Sequence, residues 1–570
     1  MRGLLLLYGL FCLLQLQAQE AKPIVSKGFI PPFAGENQII GTYCELRPNH
    51  FHGGLDIRTG GVIGRPVIAI GDGYVSRINI SNAGYGKAIY INHPNGYTSV
   101  YAHLHEFPKD IQWYIEKSQY LLQNYEVELY PDADILQVKQ GQLIAYSGNS
   151  GASQGPHLHF EIRETISEAP VNPLLCGIKM PDHLPPSILN FYLYGKDSLV
   201  KLHNGHYPSV NLPMYTTQTI KKGKKKKKIN VAIERHSIAY GTYALGANLK
   251  DYATSLGDNN GVNYITIYKN GVLFYDCRIE RFMFSQIRMH NNYVDFKRHK
   301  EQGIRMHKLF KDDGSTLDFW KYSPSNGWFT IQDSTPINFR IVVKDVYGNS
   351  SEKTLILVGS PNGRKVSDYI SHYRQTKLCR AAKDNLHELG SDLSVSLPAH
   401  TLYHDYVLNY TKNANNTYTI GSVLVPLDKK MILIYKLTPL QLLNGDKYVV
   451  RCNDGRNYFG ELKNINQYHV PVRDFGTFQL LLDTTRPSIK PLTLNRNRYF
   501  SFDVGDNLAG VKDFDFYING VWVLLNYDSK SGIISGFIPN PLVSGKHTIK
   551  LIVRDNRLNE RTYIKSIEIP

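Results

Sequence analysis

The chain has 570 residues, a formal charge of +16 at pH 7, 39 tyrosines, 46 glycines and only six cysteines. That length is too great for one ordinary core and implies three or four domains. Many short Val/Ile/Thr/Tyr runs between Gly and Pro favour mostly β structure, which excludes helical bundles and a broadly disordered chain.

Residues 1–20 open with Met1 and Arg2, run apolar from Leu4 to Leu16 and end in Gln17, Ala18 and Gln19, the layout of a cleaved secretory signal peptide. The apolar run is shorter than the roughly 20 residues a membrane span needs. No later stretch is long and apolar enough to span a bilayer, so export without an anchor is expected. Five widely spaced cysteines would remain, an odd number without zinc-finger spacing. The one disulfide entertained is Cys44 with Cys176, at the two ends of the first domain.

Residues 21–178 are rich in Gly and His and read as a compact β domain, with strand-like runs such as 66–70 and 87–91 between Gly-rich turns. Within it, 106–137 reads as a helical insertion. Ile111, Tyr114, Ile115, Ser118 and Leu122 fall near one face of an amphipathic helix there. Residues 183–362 and 484–570 share a plan that opens on Pro-Ser-Ile and contains an Asn-Gly turn, Asn270-Gly271 and Asn519-Gly520. Both read as Ig-like β-sandwiches, the first enlarged by insertions. Between them, 363–391 reads as a partly helical linker and 392–483 as a further β domain. Nearly half of the excess charge lies in residues 221–228, all lysine except Gly223, and is read as a solvated loop.

Histidine is concentrated in three pieces of the first domain. They hold His50, His52 and Asp56, then Tyr101, His103 and His105, and last a Gly-rich run from Gly148 that ends in His157, Leu158, His159, Phe160 and Glu161. Side chains alternate across a strand, so His157 and His159 share a face. One can bind a metal while its neighbour reaches the reacting group. Zinc accepts imidazole nitrogen and carboxylate oxygen, and a hydrolytic site keeps three protein ligands with one position open. His52, Asp56 and one histidine of the third piece would supply such a set.

In the order of its motifs the sequence resembles the lysostaphin or LytM type of zinc metalloendopeptidase. His52 to Asp56 match that family's His-x-x-x-Asp motif, Tyr101 to Leu104 its Tyr-x-His-Leu, and Gly148 to Glu161 its Gly-rich His-Leu-His-Phe-Glu segment. The resemblance covers residues 40 to 165. It implies Zn2+ held by His52, Asp56 and His159, with His103 and His157 as catalytic histidines. His50, His93 and His105 are left as polar neighbours or structural residues.

The fold class expected is therefore mostly β: an N-terminal antiparallel β-sheet metallopeptidase domain followed by β-sandwich domains. The resemblance implies an exported enzyme of the periplasm or cell envelope that hydrolyses stem peptides or cross-links of peptidoglycan. Export and positive charge agree, because the envelope supplies polyanions. Envelope proteins are the partners expected for the C-terminal sandwiches; nucleic acid is not an expected partner. The alternatives are a secreted metallopeptidase acting on proteins and a noncatalytic envelope scaffold or hydrolase activator. A scaffold would be marked by a substituted ligand, and none is substituted. Since every assigned site residue precedes Cys176, a chain ending after Lys179 is expected to keep activity.

Overall fold

The computed structural model describes residues 28–222, 225–252, 261–370, 372–496, 498–538 and 542–569. The predicted signal peptide, 1–20, lies outside the described residues. The fold is mostly β, built from antiparallel sheets. No helix among the described residues is long and apolar enough to cross a membrane.

The first domain is organised by a nine-stranded sheet. Its main strands are β1 (Ile39–Gly41), β2 (Leu55–Arg58), β3 (Gly73–Ile80), β4 (Ala88–Asn92), β5 (Tyr97–Ala102), β6 (Val127–Leu129) and β7 (His157–Glu164). Their spatial order is β1-β2-β7-β5-β4-β3-β6, and all neighbours are antiparallel. β7, last in the chain order of these strands, therefore inserts between β2 and β5. This brings the three histidine-bearing pieces side by side. A smaller sheet of Pro66–Ile68, Leu143–Ser147 and Leu104–Glu106 carries the chain onward from β5.

Between the sheets α1 (Lys109–Leu122) buries Ile111, Ile115 and Gln119. The insertion is helical as expected, but its inner face is turned from the one read in the sequence. Leu122 is exposed, because α1 ends there at Gln123, whose left-handed φ of 45° closes the last turn.

Residues 187–359 form a five-stranded and a six-stranded sheet. The Asn270-Gly271 and Asn519-Gly520 turns have both residues at positive φ, as a two-residue hairpin requires. Two sheets of four strands make up the last sandwich, around Phe500, Phe502, Phe516, Ile534, Leu551 and Val553. The first domain and residues 187–359 share one buried cluster. Phe51 is wholly buried against Phe282, Tyr293 and Phe319, and Tyr43 stacks on Phe282.

Three expectations give way here. The described lysines of the run, 221–222 and 225–228, lie on paired strands rather than in a loop: Tyr215–Lys222 pairs with Lys225–Ala232, since β-branched residues flank the run on both sides. Thr376–Cys379 and Asn385–Glu388 are strands within the supposed linker, and no helix occurs between 363 and 391 among the described residues. Thr376–Cys379 pairs with the distant Tyr406–Lys412, while Asn385–Glu388 folds back on Leu393–Leu397 as a local hairpin, so strand pairing overrides the polar composition. Cys44 and Cys176 are free and buried rather than bonded to each other. Cys44 sits in a left-handed turn facing the next sandwich, and Cys176 ends the 3-10 turn Pro173–Cys176.

Candidate metal centre

Antiparallel register sets His159 of β7 directly opposite Asp56 of β2, and opposed residues project from the same face of a sheet. His52 arrives from a short hairpin of Leu46–Arg47 with His50–Phe51, just before β2. The turn between His52 and β2 lies tight against β7. A Cβ on Gly54 would fall 2.2 Å from the Phe160 carbonyl oxygen, so only glycine fits.

Three ligand atoms converge. His52 Nε2 lies 3.0 Å from His159 Nδ1 and 3.2 Å from Asp56 Oδ1, and His159 Nδ1 lies 3.0 Å from Asp56 Oδ1. Tetrahedral zinc with ligands at about 2.0–2.1 Å needs ligand atoms about 3.3 Å apart, so the triangle suits that ion with little adjustment. The far side of each ring is engaged as metal-ligating imidazoles require. His52 Nδ1 donates to the Thr42 carbonyl at 2.8 Å, and His159 Nε2 meets Glu161 Oε1 at 2.7 Å.

Two further histidines border the triangle. His157 Nε2 is 3.4 Å from Asp56 Oδ1, and the His103 ring centroid is 4.9 Å from that of His157. Both have Nδ1 on backbone carbonyls, His157 on Gly155 at 2.8 Å and His103 on Ser150 at 2.9 Å. The Ser150 carbonyl holds the His103 proton on Nδ1 and leaves its Nε2 as an acceptor, whereas His157 turns Nε2 to the Asp56 carboxylate. His103 follows β5 at the crossing into the smaller sheet with φ 60°, a backbone state uncommon for a non-glycine residue. Of the five, only His157 is part-exposed, so it marks the mouth.

Burial drives the His52 imidazole down to about 4 and the His103 imidazole to about 3, with His159 and His157 adding to the second effect. Both rings are neutral at physiological pH. Burial opposes a charge on His159 as well, but its hydrogen bonds to the Asp56 and Glu161 carboxylates prevail and raise it to about 9. Asp56 is held well below the usual carboxylate range: burial acts against its charge, and His52, His157 and His159 overcome it.

All five predicted site residues thus meet at one end of β7. Of the other histidines, His50 and His105 are exposed at its periphery, and His93 is buried between the Asp72 carbonyl and Ser99. Sequence reasoning assigned no role to Glu161, Tyr85, Arg163 or Arg47. Glu161 is fully buried, accepts from Tyr85 Oη at 2.5 Å and Arg163 Nε at 2.7 Å, and backs His159. Its position two residues after His159, on the same strand face, was the available signal. Arg47 contacts Asp56 Oδ2 through a hairpin turn that no local pattern discloses.

Residues 50–121 and 133–173 match the family profile described as Peptidase family M23, and residues 376–483 one described as a Zu5-like domain. Over 119 residues the chain is 32% identical to a DD-carboxypeptidase/endopeptidase, Mpg, of Neisseria meningitidis serogroup B, covering 21% of each chain. It is 32% identical over 135 residues to the peptidoglycan DD-endopeptidase ShyA of Vibrio cholerae, covering 24% of this chain and 25% of that one. Lysostaphin of Staphylococcus simulans is 36% identical over 99 residues, 17% of this chain and 16% of its own. The chain spans about a quarter or less of the length of these curated relatives.

Proposed function

We propose, from the premise that the N-terminal domain belongs to peptidase family M23 of the lysostaphin/LytM type, that this chain is a zinc-dependent endopeptidase of peptidoglycan. The observation that carries this reading is the triangle of His52 Nε2, Asp56 Oδ1 and His159 Nδ1 beside the His103 and His157 imidazoles, each held at Nδ1 by a backbone carbonyl. His52, Asp56 and His159 would hold the ion. Zinc bound there supplies Lewis acidity and brings the pKa of water toward neutrality.

The chain's own groups do the rest. His157 or His103 takes the proton of the attacking water at Nε2, and the pair then donates to the developing oxyanion and to the leaving amine. A neutral His103 ring suits that work, because a base already protonated could accept nothing. Glu161 steadies His159 from behind, while burial of four of the five residues limits competing water.

A wall substrate is supported by relatives named as peptidoglycan endopeptidases and by a basic chain with a signal-like N-terminus, which suits the periplasm or envelope. The bond favoured is the D-alanyl cross-link between stem peptides. Full-length protein is expected to release soluble fragments from purified sacculi, identified by mass spectrometry. His52→Ala or Asp56→Ala should abolish both release and zinc content; either variant retaining full metal would refute the ligand assignment.

A further inference from the structure

Behind the Asp56 carboxylate stand three charged side chains in series, and the last belongs to the neighbouring sandwich. Asp56 offers Oδ1 to His52, His157 and His159 and turns Oδ2 to the Arg47 guanidinium. The same Arg47 nitrogen lies 3.4 Å from Glu45 Oε2, and Glu45 Oε1 accepts from Arg305 Nη1 at 2.8 Å, across 260 residues of chain. Arg305 sits just ahead of the strand Met306–Lys308, which pairs with Gly241–Lys250 in the adjoining domain.

Charges alternate along this line, positive, negative, positive, negative, so each holds the next. Asp56 and Glu45 are buried, while Arg47 and Arg305 are part-buried, which limits screening by solvent and salt. The fold leaves room for it: a Cβ on Gly41 would stand 2.6 Å from Arg47 Nη2 and 3.0 Å from Asp56 Oδ2. A second tie runs in parallel. Gly261 N, also of the adjoining domain, donates to Thr42 Oγ1 at 2.6 Å, and the Thr42 carbonyl receives His52 Nδ1.

We infer that Arg305 is a positioning residue for the metal centre, acting through Glu45 and Arg47 to keep Asp56 Oδ2 engaged and present Oδ1 alone to the ion. This rests on the metal reading above. Without Arg305, Glu45 would compete with Asp56 for Arg47, and the freed carboxylate could turn both oxygens to the metal. The ion would then gain a ligand from the position a substrate needs.

The test uses the full chain and reads metal binding rather than turnover alone. In chelator competition Arg305→Ala should bind Zn2+ about tenfold more weakly, because the released carboxylate must be ordered on binding, the lower end of the range for groups that orient metal ligands. Loaded with Co2+, it should give weaker visible bands than wild type, as a fifth ligand does to a four-coordinate cobalt ion. Arg305→Lys, which keeps a cation opposite Glu45, should restore most of both. Arg305→Gln, which loses the charge and keeps a polar side chain, should reproduce the loss, keeping the inference falsifiable if Arg305→Ala does not fold. Wild-type affinity and an unchanged cobalt spectrum in folded Arg305→Ala or Arg305→Gln would overturn the relay alone. A wild-type chain that takes up no divalent metal would overturn the metal reading, and the relay with it.

Discussion

His103 and His157 come from separate strands, yet the Gly-rich loop orients both through its carbonyls at Ser150 and Gly155. Neither ring shares an Nδ1 bond with the ligand triangle, so the proposed catalytic and metal-binding roles fall to different residues. His157→Ala is expected to keep its zinc, measured by elemental analysis, and to lose about 10²–10⁴-fold in turnover on wall peptides. Near-normal rates would remove His157 from proton transfer. Sequence periodicity disclosed that His157 and His159 share a face. It could not disclose that Glu161 and Arg163 continue the network behind them, because a hydrogen bond inside a buried strand leaves no pattern beyond alternation.

At the scale of elements, each of two sandwiches gathers three aspartates at one end: Asp182, Asp251 and Asp345, and again Asp483, Asp506 and Asp555. In each set the first aspartate precedes the Pro-Ser-Ile opening and the third precedes an Asn four residues on, so the repeat legible in sequence extends to a shared carboxylate arrangement. Burial, followed by the charges of Asp182 and Asp345, pushes Asp251 up to about 7. An unfolded aspartate titrates near 3.9. From about pH 4 to 7 the folded state therefore binds more protons than the unfolded one, and this group's contribution to stability falls as pH rises through that window. Asp251→Asn should remove that slope. Thermal unfolding in metal-free buffer should show a raised melting temperature at pH 8 and little change at pH 4; an equal shift at both would contradict the titration.

Across the whole molecule, the metal site depends on parts beyond the domain that carries its ligands. Phe51, adjacent to His52, is buried among Phe282, Tyr293 and Phe319, and Tyr43 packs on Phe282. Ending the chain after Lys179 would return both rings to water, at about 1.5–3 kcal/mol each. The expectation that such a fragment stays active loses its ground. We expect it to unfold at lower temperature and to bind zinc poorly, whereas a well-folded, active fragment would mean the shared core is dispensable. The last sandwich reaches the same site differently. Lys530 Nζ donates to the Asn149 and Ser153 carbonyls at 2.6 and 2.7 Å, and Trp522 meets Tyr120 of α1 edge-on. Lys530→Ala should retain metal and lower turnover several-fold by loosening the Gly-rich loop; higher turnover would mean that the contact restrains the enzyme.

The order of its motifs was enough, by itself, to disclose this chain's likeness to peptidase family M23. Spacing of two and four residues fixes which side chains share a strand face, and Asn-Gly fixes where hairpins turn, since both follow from local backbone geometry. Tertiary structure alone decided which strands are neighbours, and hence that β7 inserts between β2 and β5. It also decided that residues 376–379 pair with 406–409 and that Arg305 stands behind Asp56 through Glu45 and Arg47. Such contacts join segments tens to hundreds of residues apart, and their stability comes from burial and charge pairing that no short window of sequence contains.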